Sequence, residues 1–374
     1  IVSELFYPEN TSTGYILTKL AEGLANHFRI GVLCGQPSYS LRGFKAAKYE
    51  LYKGIYIRRS YATTFNKDKL LPRLINLFTI TLSLSFNGVI NFKKDDDVLV
   101  VTNPPVLPFA MLLVSRIKGA KCSIIVHDMY PDVAYVAGLI PPKKFIKAFF
   151  RRLNKILFRN MKKIFVLGRD MKAKIINEFG VFEEKIIIAP NWADIDEIRP
   201  VARNNISMLN DLNLMDKFVL LYAGNMGYPH NIEDIVAAGE RLKYDKDICF
   251  VFMGSGSKRS YLETLIAEKG LSNIILLPQR DRKDQIEFLN ACDVGLIALV
   301  KGMKGISVPS RTYNIMAAGK PIIAIVEQDS EIEKVINEER IGWVVEPGSV
   351  DKLVEIIKEA KLNPMVRKEM SERA

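Results

Sequence analysis

The sequence predicts an α/β protein built from two Rossmann-like halves, each with a parallel sheet covered on both faces. Three observations predict it. Strand-length runs that are continuously apolar after at most one polar opening residue, Asp97-Val-Leu-Val-Val101, Ser123-Ile-Ile-Val126 and Ile164-Phe-Val-Leu167, alternate with helical patterns, as parallel strands buried on both faces do. The strand, glycine loop and helix that open the chain recur at Val219-Leu-Leu-Tyr-Ala-Gly224-Asn225-Met226-Gly227. Finally, 374 residues at 48% apolar composition suffice for about two domain cores.

Taken in order, Ile1-Val2-Ser3 reads as a strand running into a loop, Glu4 to Gly14, and then an amphipathic helix marked by Ile16, Leu17, Leu20, Ala21 and Leu24. No signal peptide is visible. Thr11 to Thr13 are suited to cap that helix, and Gly14 lets a ligand approach the backbone. The loop lacks the G-x-G-x-x-G spacing of a dinucleotide site. Ile30 to Cys34 is a second strand, followed by a loop holding Gln36, Pro37, Ser38 and Tyr39. Tyr/Ile alternation between Tyr49 and Arg59 gives a short strand pair turning at Lys53-Gly54. Leu70 to Phe92 is apolar but interrupted by Pro72, Arg73, Asn76 and Asn87, too polar for a bilayer span; an interfacial helix and a core helix both fit it. His127 and Asp128 directly follow the strand 123–126, at the carboxyl end where polar residues line the ligand crevice of an open parallel sheet.

From Pro141 through Pro142 to Arg159 runs a helical pattern in which Phe145, Phe149, Leu153, Ile156 and Leu157 share one face. Lys144, Lys147, Arg151, Arg152, Lys155 and Arg159 occupy the others. Six cations with no acid among them read as membrane-surface binding rather than as a domain helix with solvated charges. The charge distribution agrees. Net charge is +11, with 30 Lys+Arg against 17 Asp+Glu up to Pro200 and 23 against 25 beyond it, so an anionic partner is expected at the first half. There is no RNA-binding signature or aromatic-interleaved basic platform, so that partner is expected to be an anionic membrane surface and not nucleic acid. Cys34, Cys122, Cys249 and Cys292 are isolated, without a CxxC pair or histidine cluster. A reducing cytosol fits, and neither a disulfide framework nor a zinc site is indicated.

The polar stretch Asp194 to Asn205 separates the halves, giving domains 1–195 and 196–374. In the second, Gly224 and Gly227 expose backbone N–H groups to an anion, with Asn225 a neutral donor beside them. Strands at Ile248 to Met253, before Gly254-Ser255-Gly256, at Asn273 to Leu277, before Pro278-Gln279-Arg280, and at Val294 to Leu299 lead to the most informative stretch, Val308 to Ala324. There Pro309-Ser310-Arg311 breaks the chain, and Ser310 is placed to cap a helix whose apolar residues are Tyr313, Met316 and Ala317. Gly319 ends that helix, and Pro321 to Val326 is a buried strand. A helix start beside an arginine is a ready site for phosphate oxygens. Gly342 to Val345 is the last strand, and helical sequence runs to Ala374.

Residues 309–321, Pro-Ser-Arg-x-Tyr-x-Ile-Met-Ala-Ala-Gly-Lys-Pro, resemble the donor-site signature of the retaining GT-B glycosyltransferases of glycosyltransferase family 4. Within that family they resemble the bacterial branch that makes surface polysaccharides, including the L-fucosamine transferases of O-antigen synthesis. His127-Asp128-Met129-Tyr130-Pro131-Asp132 resembles the family's His-Asp-x-Tyr/Trp-Pro-Asp motif, and Pro190-Asn191-Trp192-Ala193-Asp194 its Pro-Asn-Gly-x-Asp interdomain segment, with Trp192 in place of the small residue.

The resemblance implies a GT-B fold, two Rossmann-like domains with parallel sheets facing a cleft. It implies that His127 lies against the transferred sugar with Asp128 as a partner, that Glu9, Asn10 and Gly14 face the donor, and that Gly224, Asn225, Gly227, Ser310, Arg311, Thr312 and Asn314 bind it, with Arg280 near the base. Glu9 is the fallback candidate for a catalytic base. Two departures stand out. The family's paired glutamates, separated by seven residues, correspond to Ile306 and Asn314, and the Arg and Lys that many relatives carry after the glycine turn are replaced by His230-Asn231. Arg311 or Lys320 must then supply the cation, and Arg311 is the better placed. The implied reaction moves a sugar, amino and deoxy sugars included, from a UDP-linked donor to a polyprenyl-diphosphate-linked glycan at the inner face of the cell membrane. The enzyme is expected to be peripheral, to need no cofactor and, nothing being read as an Asp-x-Asp metal site, to need no divalent metal. The missing glutamates leave a non-catalytic sugar-nucleotide-binding or membrane-binding scaffold as an alternative. A UDP-sugar 2-epimerase shares the architecture, and the basic helix argues against it.

Overall fold

The computed structural model describes residues 1–37, 44–65, 70–141 and 143–374. Ser38, Tyr39 and Pro142 lie outside the described residues. The chain forms two compact units, 1–131 with 142–190, and 132–141 with 191–374.

The elements of the first part of the chain are α1 (Ser12–Ala25), β1 (Gly31–Cys34), β2 (Tyr49–Tyr52), β3 (Ile55–Arg59), α2 (Leu70–Asn91), β4 (Asp97–Val101), α3 (Leu107–Lys118) and β5 (Lys121–Val126). Next come α4 (Asp132–Val136), which belongs to the second unit, α5 (Lys144–Asn160), β6 (Ile164–Val166), α6 (Arg169–Phe179) and β7 (Ile186–Ile188). The strands run β2-β3-β1 and β4-β5-β6-β7, parallel except for the β2-β3 hairpin. Val2 joins the two groups by parallel bridges to Leu33 and Val100. The opening strand is thus a bridging residue rather than a full strand, and its carboxyl end is where the winding reverses.

The crossovers through α2, α3, α5 and α6 all advance in one direction, and right-handedness puts the four helices in one layer. There α2 packs on α3, α3 on α5 and α5 on α6. This layer splits the apolar face expected of α5. Leu157 and Phe158 are buried, whereas Phe145, Phe149 and Ile156 are 72%, 58% and 50% exposed. Neighbouring helices cover the 154–158 side, where Asn154 Nδ2 donates to the Tyr130 carbonyl at 2.7 Å.

The second unit contains α7 (Ser207–Asp211), β8 (Phe218–Ala223), α8 (Ile232–Arg241), β9 (Ile248–Met253), α9 (Arg259–Lys269), β10 (Ile274–Leu277), α10 (Gln285–Asn290) and β11 (Val294–Ala298). It continues with α11 (Arg311–Ala317), β12 (Ile322–Ile325), α12 (Glu331–Glu339), β13 (Gly342–Val345), α13 (Val350–Leu362) and α14 (Pro364–Arg373). Its six strands are all parallel, in the order β10-β9-β8-β11-β12-β13. Every residue of β9, β11 and β12 is buried, as their unbroken apolar sequences require. The chain winds outward from β8 to β10, then returns to β11 on the other side of β8. The switch point of this doubly wound sheet lies between β8 and β11, and ligands bind outside the carboxyl ends of strands at such a point.

Candidate functional site

At the carboxyl end of β8 the chain turns through Gly224, whose φ of +142° and missing side chain are both used. A Cβ there would sit 2.7 Å from Cζ of Arg311 and 2.8 Å from its Nη2. The guanidinium therefore occupies the space that glycine leaves. It lies over the ring of Tyr222, with Cζ 4.6 Å from the centroid, a cation–π contact. Tyr222 is fully buried, and its hydroxyl donates to the Asn225 carbonyl at 2.8 Å, the carbonyl to which Arg311 Nη2 also donates at 3.4 Å. Arg311 Nη1 is buried and has no hydrogen-bond partner. A half-buried guanidinium with donor capacity to spare, at a switch point, is suited to a phosphate oxygen.

The neighbouring groups do not compete for that role. His230 stands edge-on to Tyr222, with ring centroids 6.3 Å apart, and its Nδ1 is 3.3 Å from the Ala298 carbonyl. Burial first, then the charges of Arg311 and Lys258, push its pKa down to about 3. The ring is neutral near pH 7, with Nδ1 as donor to that carbonyl. Lys258 is held by the His230 carbonyl and by Glu233, both at 2.8 Å. Lys320 sits at the far end of α11, where its charge acts on Cys292. The β9 and β10 loops are tied by Ser255 Oγ donating to Gln279 Oε1 at 2.8 Å, with Arg280 exposed beside them.

Helix α11 differs from expectation in its face and its cap. The buried positions are Thr312, Ile315 and Ala318, not Tyr313, Met316 and Ala317. Ile315 fills the space over Gly295 of β11, where a Cβ would approach it to 2.6 Å, and this contact fixes the rotation of the helix. Thr312, expected on the donor, faces the sheet at 0% exposure with Oγ1 unpartnered. Ser310 has helical φ and ψ of −63° and −24° and makes no side-chain cap; the turn is closed by Thr312 N–H donating to the Pro309 carbonyl at 3.2 Å. Asn314 is half-buried, and Ile306 is core at 4% exposure.

In the first unit, Thr11 caps α1 by accepting from Gly14 N at 3.3 Å. The room at Gly14 is taken by the chain itself, since a Cβ would lie 2.6 Å from the Glu9 carbonyl. That corrects its reading as a point of ligand approach. Glu9 is 2% exposed and Asn10 exposed. Beyond β5, the N–H groups of His127 and Asp128 both donate to Oγ1 of Thr102, at 3.2 and 3.3 Å. Thr102 directly follows the neighbouring β4, and the sequence reading missed it, although a threonine directly after an apolar strand was a usable signal. His127 Nε2 is buried without a partner, and burial lowers the pKa to about 4.

Asp-x-Asp spacings occur at Asp95–Asp97, Asp194–Asp196 and Asp245–Asp247, the last with both carboxylates on Lys361 at 2.8 and 3.3 Å. The first lies at the amino end of β4, away from the ligand end of the sheet, with Asp97 on Lys162 at 2.6 Å and Asp95 near Lys121. In the second, Asp194 Oδ1 accepts from Asp196 N. On α5, Lys144, Lys147, Arg151, Arg152 and Lys155 are all exposed, with Arg151 also donating to the Glu178 carbonyl.

Two doubly wound parallel-sheet units, one holding a guanidinium over a glycine turn at its switch point, define a GT-B scaffold of the kind that binds nucleotides. Residues 208–374 match the family described as Glycosyl transferases group 1. The chain is 31% identical over 298 residues to the probable glycosyltransferase WbjE of Pseudomonas aeruginosa, covering 79% of this chain and 73% of that one. It is 26% identical over 390 residues to the putative colanic acid biosynthesis glycosyl transferase WcaI of Escherichia coli (strain K12), covering 98% and 94%. Its fold matches that of HepE from Anabaena, solved with UDP-glucose, at a TM-score of 0.72 and 14% identity over 100% and 92% of the two chains. This chain belongs to the group 1 glycosyltransferases.

Proposed function

We propose that the protein transfers a sugar from a UDP-linked donor to a lipid-linked glycan during synthesis of a bacterial surface polysaccharide, with retention of configuration and without a divalent metal. The observation that carries this is Arg311, seated over Gly224 with Nη1 unpartnered. It supplies a cation at the β8 turn, where Asn225 and neutral His230 bring none. Supporting context comes from relatives: WcaI is named for colanic acid biosynthesis, and HepE was solved with UDP-glucose.

In this reading the diphosphate binds to Arg311 and to the N–H groups of Asn225 and Gly227, which stabilise the charge that develops as the bond from the anomeric carbon to phosphate breaks. Contrary to expectation the Gly224 N–H is not among them, since it donates to the Met253 carbonyl at 2.8 Å, as Met226 N–H does to that of Ser255 at 2.7 Å. The acceptor hydroxyl bonds to that carbon on the same face, and its proton passes to the departing phosphate oxygen, so no separate base is needed. His127, kept neutral by burial, takes the sugar hydroxyls as a hydrogen-bonding group rather than as a charge. Asn314 offers amide hydrogen bonds to the ribose. The exposed cations of α5 hold the enzyme at the cytoplasmic membrane face, where a polyprenyl-diphosphate-linked acceptor resides.

Thermal shift with UDP, GDP, ADP and CMP, each with and without magnesium, tests the donor site. Selective stabilisation by UDP, unaffected by magnesium and largely lost in Arg311→Ala, is expected; about 100-fold excess of ligand over Kd gives roughly 2.7 kcal/mol in the wild type and roughly 0.4 kcal/mol if Kd weakens about 100-fold. No response to any nucleotide would point to a non-catalytic scaffold. Product epimerised without acceptor would replace the transferase reading with an epimerase.

A further inference from the structure

We propose that α2 lies in the plane of an anionic membrane with its outward face in the boundary between headgroups and acyl chains, as a second lipid contact beside the cationic α5. The inference rests on the membrane docking proposed above and adds to it an apolar insertion that charge does not supply.

The amphipathicity of α2 is inverted. Its polar residues face the fold: Asn76 and Thr81 are 5% and 6% exposed. Asn76 is fully engaged, Oδ1 accepting from Thr63 Oγ1 at 2.8 Å and Phe65 N at 3.0 Å, and Nδ2 donating to the Phe65 carbonyl at 2.8 Å. Asn87 Nδ2 donates to Ser60 Oγ at 2.8 Å. The outward stripe is apolar, with Leu71, Phe78, Leu82, Phe86 and Ile90 between 53% and 73% exposed. No charged residue occurs from Leu74 to Asn91. A helix facing water carries the opposite pattern, and an exposed apolar surface of this length marks an interaction site.

Its neighbours continue the surface. Leu113 and Ile117 of α3, which packs on α2, are 61% and 66% exposed, and Phe145 and Phe149 of α5 complete the apolar outer side of the layer. The exposed basic residues of α5 border it, whereas Lys93 and Lys94 just beyond α2 are followed by exposed Asp95, Asp96 and Asp97 and add no net positive charge. Anionic lipid complements that border, whereas a second copy of the chain would bring the same positive charges against it. From Leu71 to Ile90 the helix rises about 28 Å, close to the hydrocarbon thickness. It does not span, because Ile80 and Leu84 are buried at 2% and 0% and the asparagines hold residues 60–65.

The native cysteines are all buried, so Leu82→Cys, and independently Phe86→Cys, takes a polarity-sensitive dye at one exposed site. Each labelled protein is mixed with phosphatidylcholine vesicles containing phosphatidylglycerol, and pelleting is measured in parallel. The expected result is a blue shift with loss of iodide access, and quenching by spin labels in the acyl chains. Once formed, the signal should persist in about 1 M salt, where the screening length is ~3 Å. Phe78→Ser with Phe86→Ser should lower salt-resistant vesicle partition about tenfold or more. Protein that pellets while its dye stays open to iodide overturns the insertion and leaves α5 docking standing. Absence of pelleting overturns both. A blue shift without vesicles that grows with protein concentration assigns the face to a second copy and overturns the proposal.

Discussion

Gly224→Ala probes the donor site without touching a group proposed to meet the ligand through its side chain. The new Cβ would lie 2.7, 2.8 and 3.0 Å from Cζ, Nη2 and Nη1 of Arg311, so the guanidinium must leave its seat on Tyr222. The φ of +142° adds backbone strain of about 1–3 kcal/mol, which is read as lost stability. Displacing Arg311 removes one to two charge-assisted hydrogen bonds to the diphosphate. That is about 3 kcal/mol, or about 100-fold in Kd for UDP. Isothermal titration measures the binding loss and urea unfolding the strain, so the two effects separate. The decisive comparison is the double-mutant cycle with Arg311→Ala: if Gly224 acts through Arg311, adding Gly224→Ala to Arg311→Ala costs no further affinity. Wild-type UDP affinity in folded Gly224→Ala would refute the placement of the diphosphate on this guanidinium. Additive losses would show that the turn binds by another route.

Three further outcomes are expected. His127 stays neutral in the fold, with a pKa of about 4 against an ordinary 6.5. The unfolded chain therefore takes up its proton first, and stability falls by about 3 kcal/mol as pH drops from the ordinary value to the folded one. In His127→Gln that part of the acid slope, followed by urea unfolding at stepped pH, should vanish, and donor affinity of the wild type should be flat between about pH 6 and 8. Arg59, whose side chain is 0% exposed, pairs with Glu50 at 2.6 Å and donates to the carbonyls of Ala47 and Tyr7 at 2.7 and 2.8 Å; Arg59→Ala should cost about 1–3 kcal/mol, chiefly by leaving those two carbonyls without their donor, measured as a shift in urea midpoint. Reversing Arg151, Arg152 and Lys155 to glutamate removes about 1 kcal/mol of attraction per residue and adds repulsion, so co-sedimentation with anionic vesicles should be lost; unchanged sedimentation would detach α5 from the membrane.

The strands were legible because burial on both faces leaves a sequence signal that needs no partner to interpret: β9, β11 and β12 are apolar from end to end. Arg311 was legible for a similar reason, standing beside a proline-serine break before a buried strand. Tyr222 was not, since its use depends on a side chain 89 positions away stacking on it, and no local pattern records such a contact. The rotation of α11 failed for a steric reason. Tyr313, Met316 and Ala317 are its apolar residues at helical spacing, but the empty position at Gly295 admits Ile315 and turns Thr312 inward. Ser310 likewise had the chemistry of a cap without its geometry, because the Pro309 carbonyl already closes the first turn.

Helix α2 shows where periodicity reaches its limit. Apolar residues at helical spacing establish that a helix has an apolar side, but the pattern is the same whether that side meets the core or leaves it. Orientation is decided by what the other side can offer. Here Asn76 and Asn87 reach backbone and hydroxyl partners in residues 60–65, satisfying buried polar groups that would otherwise be costly, while Ile80 and Leu84 supply the apolar contact with the fold. Turning the helix to bury Phe78 and Phe86 would forfeit these hydrogen bonds and expose no charged face in exchange, since Leu74 to Asn91 has none. In water the exposed stripe is unfavourable at about 25 cal/mol per Å². A lipid surface removes that term, and the asparagine anchors keep the helix attached to the sheet as it does so. The same residues that made the run too polar for a bilayer span are thus what hold it in place as an interfacial element.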